Sequence, residues 1–511
     1  MTELTIDSRS QAPKLIQLAL ATMIGAFAAG IVVLDLPVKW KAALVVTIGF
    51  VSLAAMVRDP KGVSLSAVAL ISAFSIGTGI PPLLVRPHHI GLSVAVFIQL
   101  GDILILALFM GHLARMAIHR VEFLFYPSIT VPALAWILAS AASAGNAQDP
   151  ALSFIQLFHM CRLLIGGVIV ANVIKEPKDA RWLLSGLLLG VAFQGLLGSY
   201  QAIAARPLGL EFLGEATDTF PIGLDTGAAF RASGTIGHPN GYAMYLAALL
   251  PFGLAILFSG ARKGQKMLAG CVLALGGMGL VLSLSRGGWV AFTLASFVVL
   301  GLAVRGGRVR IQVLVAAAVV VALVLLGLAL TSPDVIASRI RSDDRGAAVS
   351  RLTQAQGALR MLSDSPVIGI GLNNWALRVR EYGMASVARY GGAVIVHNIY
   401  LLIAAETGIT GLLAFLWLLS ALMEHTRRIL TQPAGEMSWV TGAGLAAGLV
   451  ALAVHGMVDY DLLANLRVFS LLWLFAAMVA SISFSEGPGE RRFPISRAGN
   501  AATLFERAPR P

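Results

Sequence analysis

The run Asn240-Gly-Tyr-Ala-Met-Tyr-Leu-Ala-Ala-Leu-Leu-Pro-Phe-Gly-Leu-Ala-Ile-Leu-Phe-Ser259 carries no charged side chain. As a helix rising about 1.5 Å per residue it is ~30 Å long, the hydrocarbon thickness of a bilayer. Arg262, Lys263 and Lys266 close it, and a second apolar run opens at once. Outward from there the pattern repeats, with runs at 15–36, 42–57, 62–81, 91–110, 123–141, 154–174, 182–200, 267–284, 288–304, 311–331, 397–422, 438–458 and 467–484. The expected fold is therefore all-α, a polytopic integral membrane helical bundle of about fourteen transmembrane helices. The first pair of runs and the pair within 267–304 read either as two spans each or as one kinked or re-entrant unit.

Composition agrees. Hydrophobic residues fill 57% of the 511 positions and charged ones 13%, where a soluble domain carries about 25% charged. The 53 glycines suit close helix contact in lipid. Residues 1–14 are polar and the run from Leu15 to Leu36 is long, so the start reads as a span rather than a cleavable leader. Cys161 and Cys271 sit inside apolar runs and read as small packing residues, not a disulfide framework.

Lys and Arg set the expected sidedness. With the N-terminus inside, the inner connections hold Arg58 and Lys61; Arg115 and Arg120; Lys175, Lys178 and Arg181; Arg262, Lys263 and Lys266; Arg305, Arg308 and Arg310; and Arg427 and Arg428. Arg491 and Arg492 join them in the tail, while Lys39 and Lys41 depart from the pattern. This asymmetry accounts for the net charge of +12 without nucleic acid. The chain then divides into a membrane region over 1–200, an outer loop over 201–239, central helices over 240–331, a large outer segment over 332–396, C-terminal helices over 397–484 and a tail over 485–511. Within the outer segment, Leu352, Leu359 and Leu362 predict an amphipathic helix over 349–362 that lies on the membrane or caps a cavity.

Several polar residues fall where burial is costly. The outer segment carries eight arginines against five acidic residues, Arg351 among them, a composition that suits phosphate oxygens as well as a solvated surface. Arg231 stands in a loop otherwise rich in Glu and Asp, and Arg286 in the short turn Ser283-Leu-Ser-Arg-Gly-Gly288; an arginine at such depth faces a cavity or an anion, or snorkels to head groups. Asn240 and Asn398 open spans and read as caps. His397 could act as a general base at a cavity rim. Glu406 lies about two and a half turns into an apolar helix and demands a partner, with a structural hydrogen-bonded role the leading reading. There is no phosphate loop with lysine, zinc-ligand spacing or nucleophile elbow.

Four pieces occur in order: Arg231-Ala-Ser-Gly-Thr-Ile-Gly-His-Pro-Asn240; Ser283-Leu-Ser-Arg-Gly-Gly-Trp289; Arg351 with Ser365-Pro-Val-Ile-Gly-Ile-Gly371; and His397-Asn-Ile-Tyr-Leu-Leu-Ile-Ala-Ala-Glu-Thr-Gly408. With the large segment between the second and the fourth, the chain resembles the O-antigen ligase and polymerase superfamily, which includes exopolysaccharide polymerases, over about residues 225–422. The resemblance implies a glycosyltransferase of the bacterial inner membrane with its site facing the periplasm and no cofactor. Its implied donor is a polyprenyl-diphosphate-linked glycan. Its implied acceptor is another lipid-linked glycan for a polymerase or lipid A–core for a ligase, with a chain-length regulator protein as a candidate partner and no nucleic acid. The resemblance places Arg231, Arg286 and His397 in the catalytic roles, with Arg351 a further candidate, and His238 is not carried over; Arg351, Asn240, Asn398 and Glu406 are the expected substrate-binding residues. Chain length and the large outer segment favour polymerase over ligase; a transporter is the non-enzyme alternative.

Overall fold

The computed structural model describes residues 59–79, 92–119, 121–217, 221–222, 229–310, 312, 345–384, 395–431, 435–483 and 493–494. The expected spans 15–36, 42–57 and 311–331 lie outside them, as do 332–344 and 385–394 of the outer segment and nearly all of the tail.

Among the described residues, ten helices are long and apolar enough to cross a membrane. In chain order the helices are α1 (Pro60–Ile71), α2 (Leu100–His119), α3 (Pro127–Ser143), α4 (Pro150–Val173), α5 (Pro177–Ala204), α6 (Pro239–Phe258), α7 (Lys263–Leu282) and α8 (Arg286–Arg305). They continue as α9 (Arg345–Asp364), α10 (Trp375–Arg378), α11 (Ile399–Thr431), α12 (Glu436–Gly456), α13 (Asp461–Ala464) and α14 (Leu466–Ser483). Five of them start on a proline in the first turn, where the missing N–H has no intrahelical partner to lose. The pair within 267–304 resolves into two separate helices, α7 and α8.

Two expected spans need correction. The run 62–81 is helical only to Ile71; Gly77–Gly79 then forms a strand, β1, antiparallel to β2 (Phe97–Gln99). The run 91–110 is extended over β2 and becomes α2 only at Leu100. Hydropathy marks apolar length, and backbone groups in these stretches are satisfied by strand pairing as well as by a helix.

The centre of the bundle is α6, α12 and α14, the last with 83% of its apolar window buried, whereas α2 is 11% buried and exposes Ile103, Leu106 and Met110. Such an apolar outer surface fits lipid. Glycine sets the closest crossings: a Cβ on Gly186 of α5 would lie 2.0 Å from the Ser66 carbonyl oxygen of α1. Cys161 and Cys271 are exposed, not packed inside as expected.

The Lys- and Arg-bearing connections meet at one end of the bundle. The Glu436 carboxylate of α12 accepts from the Gly260 amide (2.7 Å) and from Arg308 Nη1 (2.8 Å), and residues 174–177 border Met437, Ser438 and Ile482. The start of α6, the end of α7 and the starts of α8 and α11 lie at the other end. The expected amphipathic helix is α9. It turns Gln354, Gly357, Ala358 and Met361 inward and leaves Leu352 and Leu359 exposed.

Candidate functional site

The loop from Arg231 to His238 is built as a fixed platform. Gln201 Oε1 accepts from the Ser233 and Gly234 amides (3.3 and 2.8 Å), and Gln194 Oε1 from the Thr235 amide (3.0 Å). The Ile236 carbonyl accepts from Asn465 Nδ2 (2.9 Å) and from Arg467 Nη1. These buried glutamines come from α5, so a span well upstream holds the loop in place.

On this platform a chain of polar contacts crosses the end of the bundle. Arg231 Nε donates to the Ser283 carbonyl at the end of α7 (2.9 Å), and Nη2 to Asn240 Oδ1 (2.7 Å). Asn240 Nδ2 donates to Asp459 Oδ2 (2.7 Å), just beyond α12. Asp459 Oδ1 in turn accepts from the amides of Tyr460 and Asp461 (2.8 and 3.0 Å). His238 Nδ1 lies 3.0 Å from Asp461 Oδ2. Arg286 is exposed at the first residue of α8, where Ser285 caps the helix by accepting from Gly288 N. A Cβ on the adjacent Gly287 would meet Val458 and His455, which puts this turn against the same α12 end.

His397 completes the cluster from the start of α11. Its ring meets Tyr460 edge to face, centroids 5.4 Å apart. Gln354 Oε1, on the inward face of α9, accepts from the His397 amide and lies 3.2 Å from Nδ1. Gln354 Nε2 donates to Ser350 Oγ (3.1 Å), which turns the amide oxygen toward the histidine. Burial pushes His397 below the usual imidazole value; the Asp459 carboxylate opposes that, and Arg351 and His238 add to it. His238 goes the other way: burial lowers its proton affinity, but the carboxylates of Asp461 and Asp459 outweigh this and raise it. Burial, then the Asp461 charge, raises Asp459.

Of the residues singled out in the sequence, Arg231, Asn240, Arg286, His397 and Arg351 converge here. Asn240 does not cap α6. His238 holds the cap position, Pro239 follows, and Asn240 bridges Arg231 to Asp459. Asn398 does cap: its Oδ1 accepts from the Leu401 amide (2.9 Å) while Nδ2 donates to the Met457 carbonyl (2.9 Å). Glu406 stands apart from the cluster. Its two oxygens accept from the Asn373 and Trp375 amides (2.8 and 3.0 Å) and hold the turn between α9 and α10. That is the structural task, and it occupies the carboxylate. His238, set aside in the sequence, belongs to the cluster. Gln354, His455, Asp459, Tyr460 and Asp461 were missed. The one available signal was the polar run His455-Gly-Met-Val-Asp-Tyr-Asp461 closing an apolar span. Among the described residues, no three His, Cys, Asp or Glu are grouped to hold a metal ion.

The fold and cluster define a class: a multi-span α-helical membrane protein whose arginines and histidines gather at one end of the bundle, opposite the basic connections. Over residues 269–416 the chain matches the family model Wzy_C, described as O-Antigen ligase. No curated protein matches the chain.

Proposed function

We propose that the protein is an inverting glycosyltransferase that polymerises polyprenyl-diphosphate-linked oligosaccharide repeat units on the periplasmic face of a bacterial inner membrane. The observation that carries this reading is the meeting of Arg231, Arg286 and His397 at one end of the bundle. The match to this family model over 269–416 supports a membrane enzyme acting on lipid-linked glycans.

A sugar on a diphosphate is already activated, so the reaction needs a place for the leaving charge and a base for the attacking hydroxyl. Arg231, its plane fixed by Ser283 and Asn240, and Arg286 bind the donor diphosphate. The C1–oxygen bond breaks, its electron pair stays on the diphosphate, and the two guanidiniums stabilise that charge. An acceptor hydroxyl forms the new C1–oxygen bond from the opposite face and yields its proton to His397 Nε2. The oxygen of Gln354 at Nδ1 keeps a proton on that nitrogen and leaves the Nε2 lone pair outward. Asp459 acts through Asn240 and the 460–461 amides as a positioning residue. Asn398 and Glu406 are left out of the reaction because both are engaged structurally.

The description of the matched family favours a second reading, a ligase that moves the glycan to lipid A–core. Deletion of the gene separates the two. Loss of a polymerase leaves single repeat units and no long chains; loss of a ligase leaves long polymer on the polyprenyl carrier and overturns the polymerase assignment. Reconstitution in liposomes tests the enzyme reading itself: movement of intact donor with no new glycosidic bond means a transporter.

A further inference from the structure

Arg162 lies midway along α4, a helix that contributes no residue to the cluster of arginines and histidines. Its Nη1 donates to Asp102 Oδ2 (2.5 Å), the same oxygen that accepts the Gln99 amide at the start of α2 (2.7 Å). Its other edge, Nε and Nη2, is buried and has no partner among the described residues; Trp473 Nε1 of α14 is in the same state. Both side chains line one cavity between α1, α2, α4 and α14, about 50 Å³ in volume. One water needs about 10–15 Å³ by the same measure. The walls are largely apolar, with Val68, Ile71, Phe74, Ile105 and Leu474, and the polar lining is Gln99, Asp102, Ser72 and Ser470.

An arginine inside a membrane bundle is costly and points to a ligand or a pathway. Here Asp102 meets one corner of the guanidinium. The edge left over is the side-on fork whose two parallel N–H groups match two oxygens of one anion. The indole N–H supplies a third donor, which suits the oxygens of a phosphate. Apolar walls beside those donors suit a hydrocarbon chain more than a cluster of waters.

We infer that this cavity binds the phosphate head group of a lipid, seated on the Nε–Nη2 edge of Arg162 and Trp473 Nε1 with its chain along the apolar walls. The inference stands apart from the proposed reaction, since none of these residues belongs to that cluster.

The test is titration of the full-length protein, in phosphatidylcholine nanodiscs, with monododecyl phosphate and with inorganic phosphate. Monododecyl phosphate is expected to bind the wild type. The Arg162→Met protein should bind it at least tenfold more weakly and Trp473→Phe severalfold more weakly. Inorganic phosphate should bind far more weakly than the alkyl ester. Equal binding of the alkyl phosphate by wild type and Trp473→Phe, the variant that keeps the ring packing, overturns the site even if Arg162→Met fails to fold. Equal affinity for inorganic phosphate overturns the lipid assignment.

Discussion

Arg286 and His397 divide the proposed chemistry between charge and proton. Arg286 stands two residues after Leu284, a residue other than glycine in the left-handed region (φ 52°), so the turn presenting it is strained in the way functional turns are. Lysine there keeps the charge and loses the planar fork. Arg286→Lys is therefore expected to lower turnover roughly 100-fold, measured as glycan transferred per minute by purified protein; unchanged turnover removes Arg286 from the reaction. His397 must be neutral to accept a proton. Because burial holds its pKa below 6.5, kcat/KM should be flat through neutral pH and fall only on the acid side, below pH 6.5. An acid limb above that value contradicts the assignment. Asp459→Ala strands Asn240 Nδ2 and the two amides that Asp459 accepts. A buried donor left stranded costs about 1–3 kcal/mol, and the Asp461 amide is buried, so both the unfolding temperature and the turnover should drop.

Two elements carry these residues to the site, and each can be perturbed alone. Helix α9 reaches His397 through Gln354. Gln354→Met removes the acceptor at Nδ1 and is expected to reduce turnover, whereas Gln354→Glu keeps an acceptor, adds charge and should move the acid limb of the pH profile upward. A merely structural role for Gln354 leaves that limb where it is. Helix α11 is broken at Gly408 (φ 70°, ψ −175°), where an added Cβ would stand 2.2 Å from the Val367 carbonyl oxygen. Gly408→Ala should lower the unfolding temperature by more than the ~1–2 kcal/mol of left-handed strain alone, read by thermal unfolding in detergent. The Gly-rich turn 365–371 was legible as a turn in the sequence; its purpose, to seat against this break, was not. Apolar runs are read directly because membrane thickness acts on one stretch at a time, and ten of them became span-length helices. The burial of Glu406 was legible for the same reason, but its partners were not, since backbone amides leave no trace in composition. Asp459 and Asp461 escaped notice because their meaning lies in Asn240 and His238, 219 and 223 residues away, and only the packing of α12 against α6 brings them together.

At the scale of the whole molecule, the bundle has a basic end and a site end, and the proposal makes the site end periplasmic. An impermeant maleimide applied to intact spheroplasts should label Ser363→Cys on α9 and spare Gly306→Cys beyond α8; the reverse pattern contradicts the sidedness. Under the proposed reaction, the site end is where a lipid carrier presents its diphosphate to the arginines while its chain stays in the bilayer. The most direct measurement is transfer by purified protein given polyprenyl-diphosphate-linked glycan, comparing wild type with His397→Ala. The account predicts new glycosidic bonds of inverted configuration with release of polyprenyl diphosphate, and near-complete loss of both in His397→Ala. Equal product from the two proteins, or retained configuration at the anomeric carbon, would contradict it.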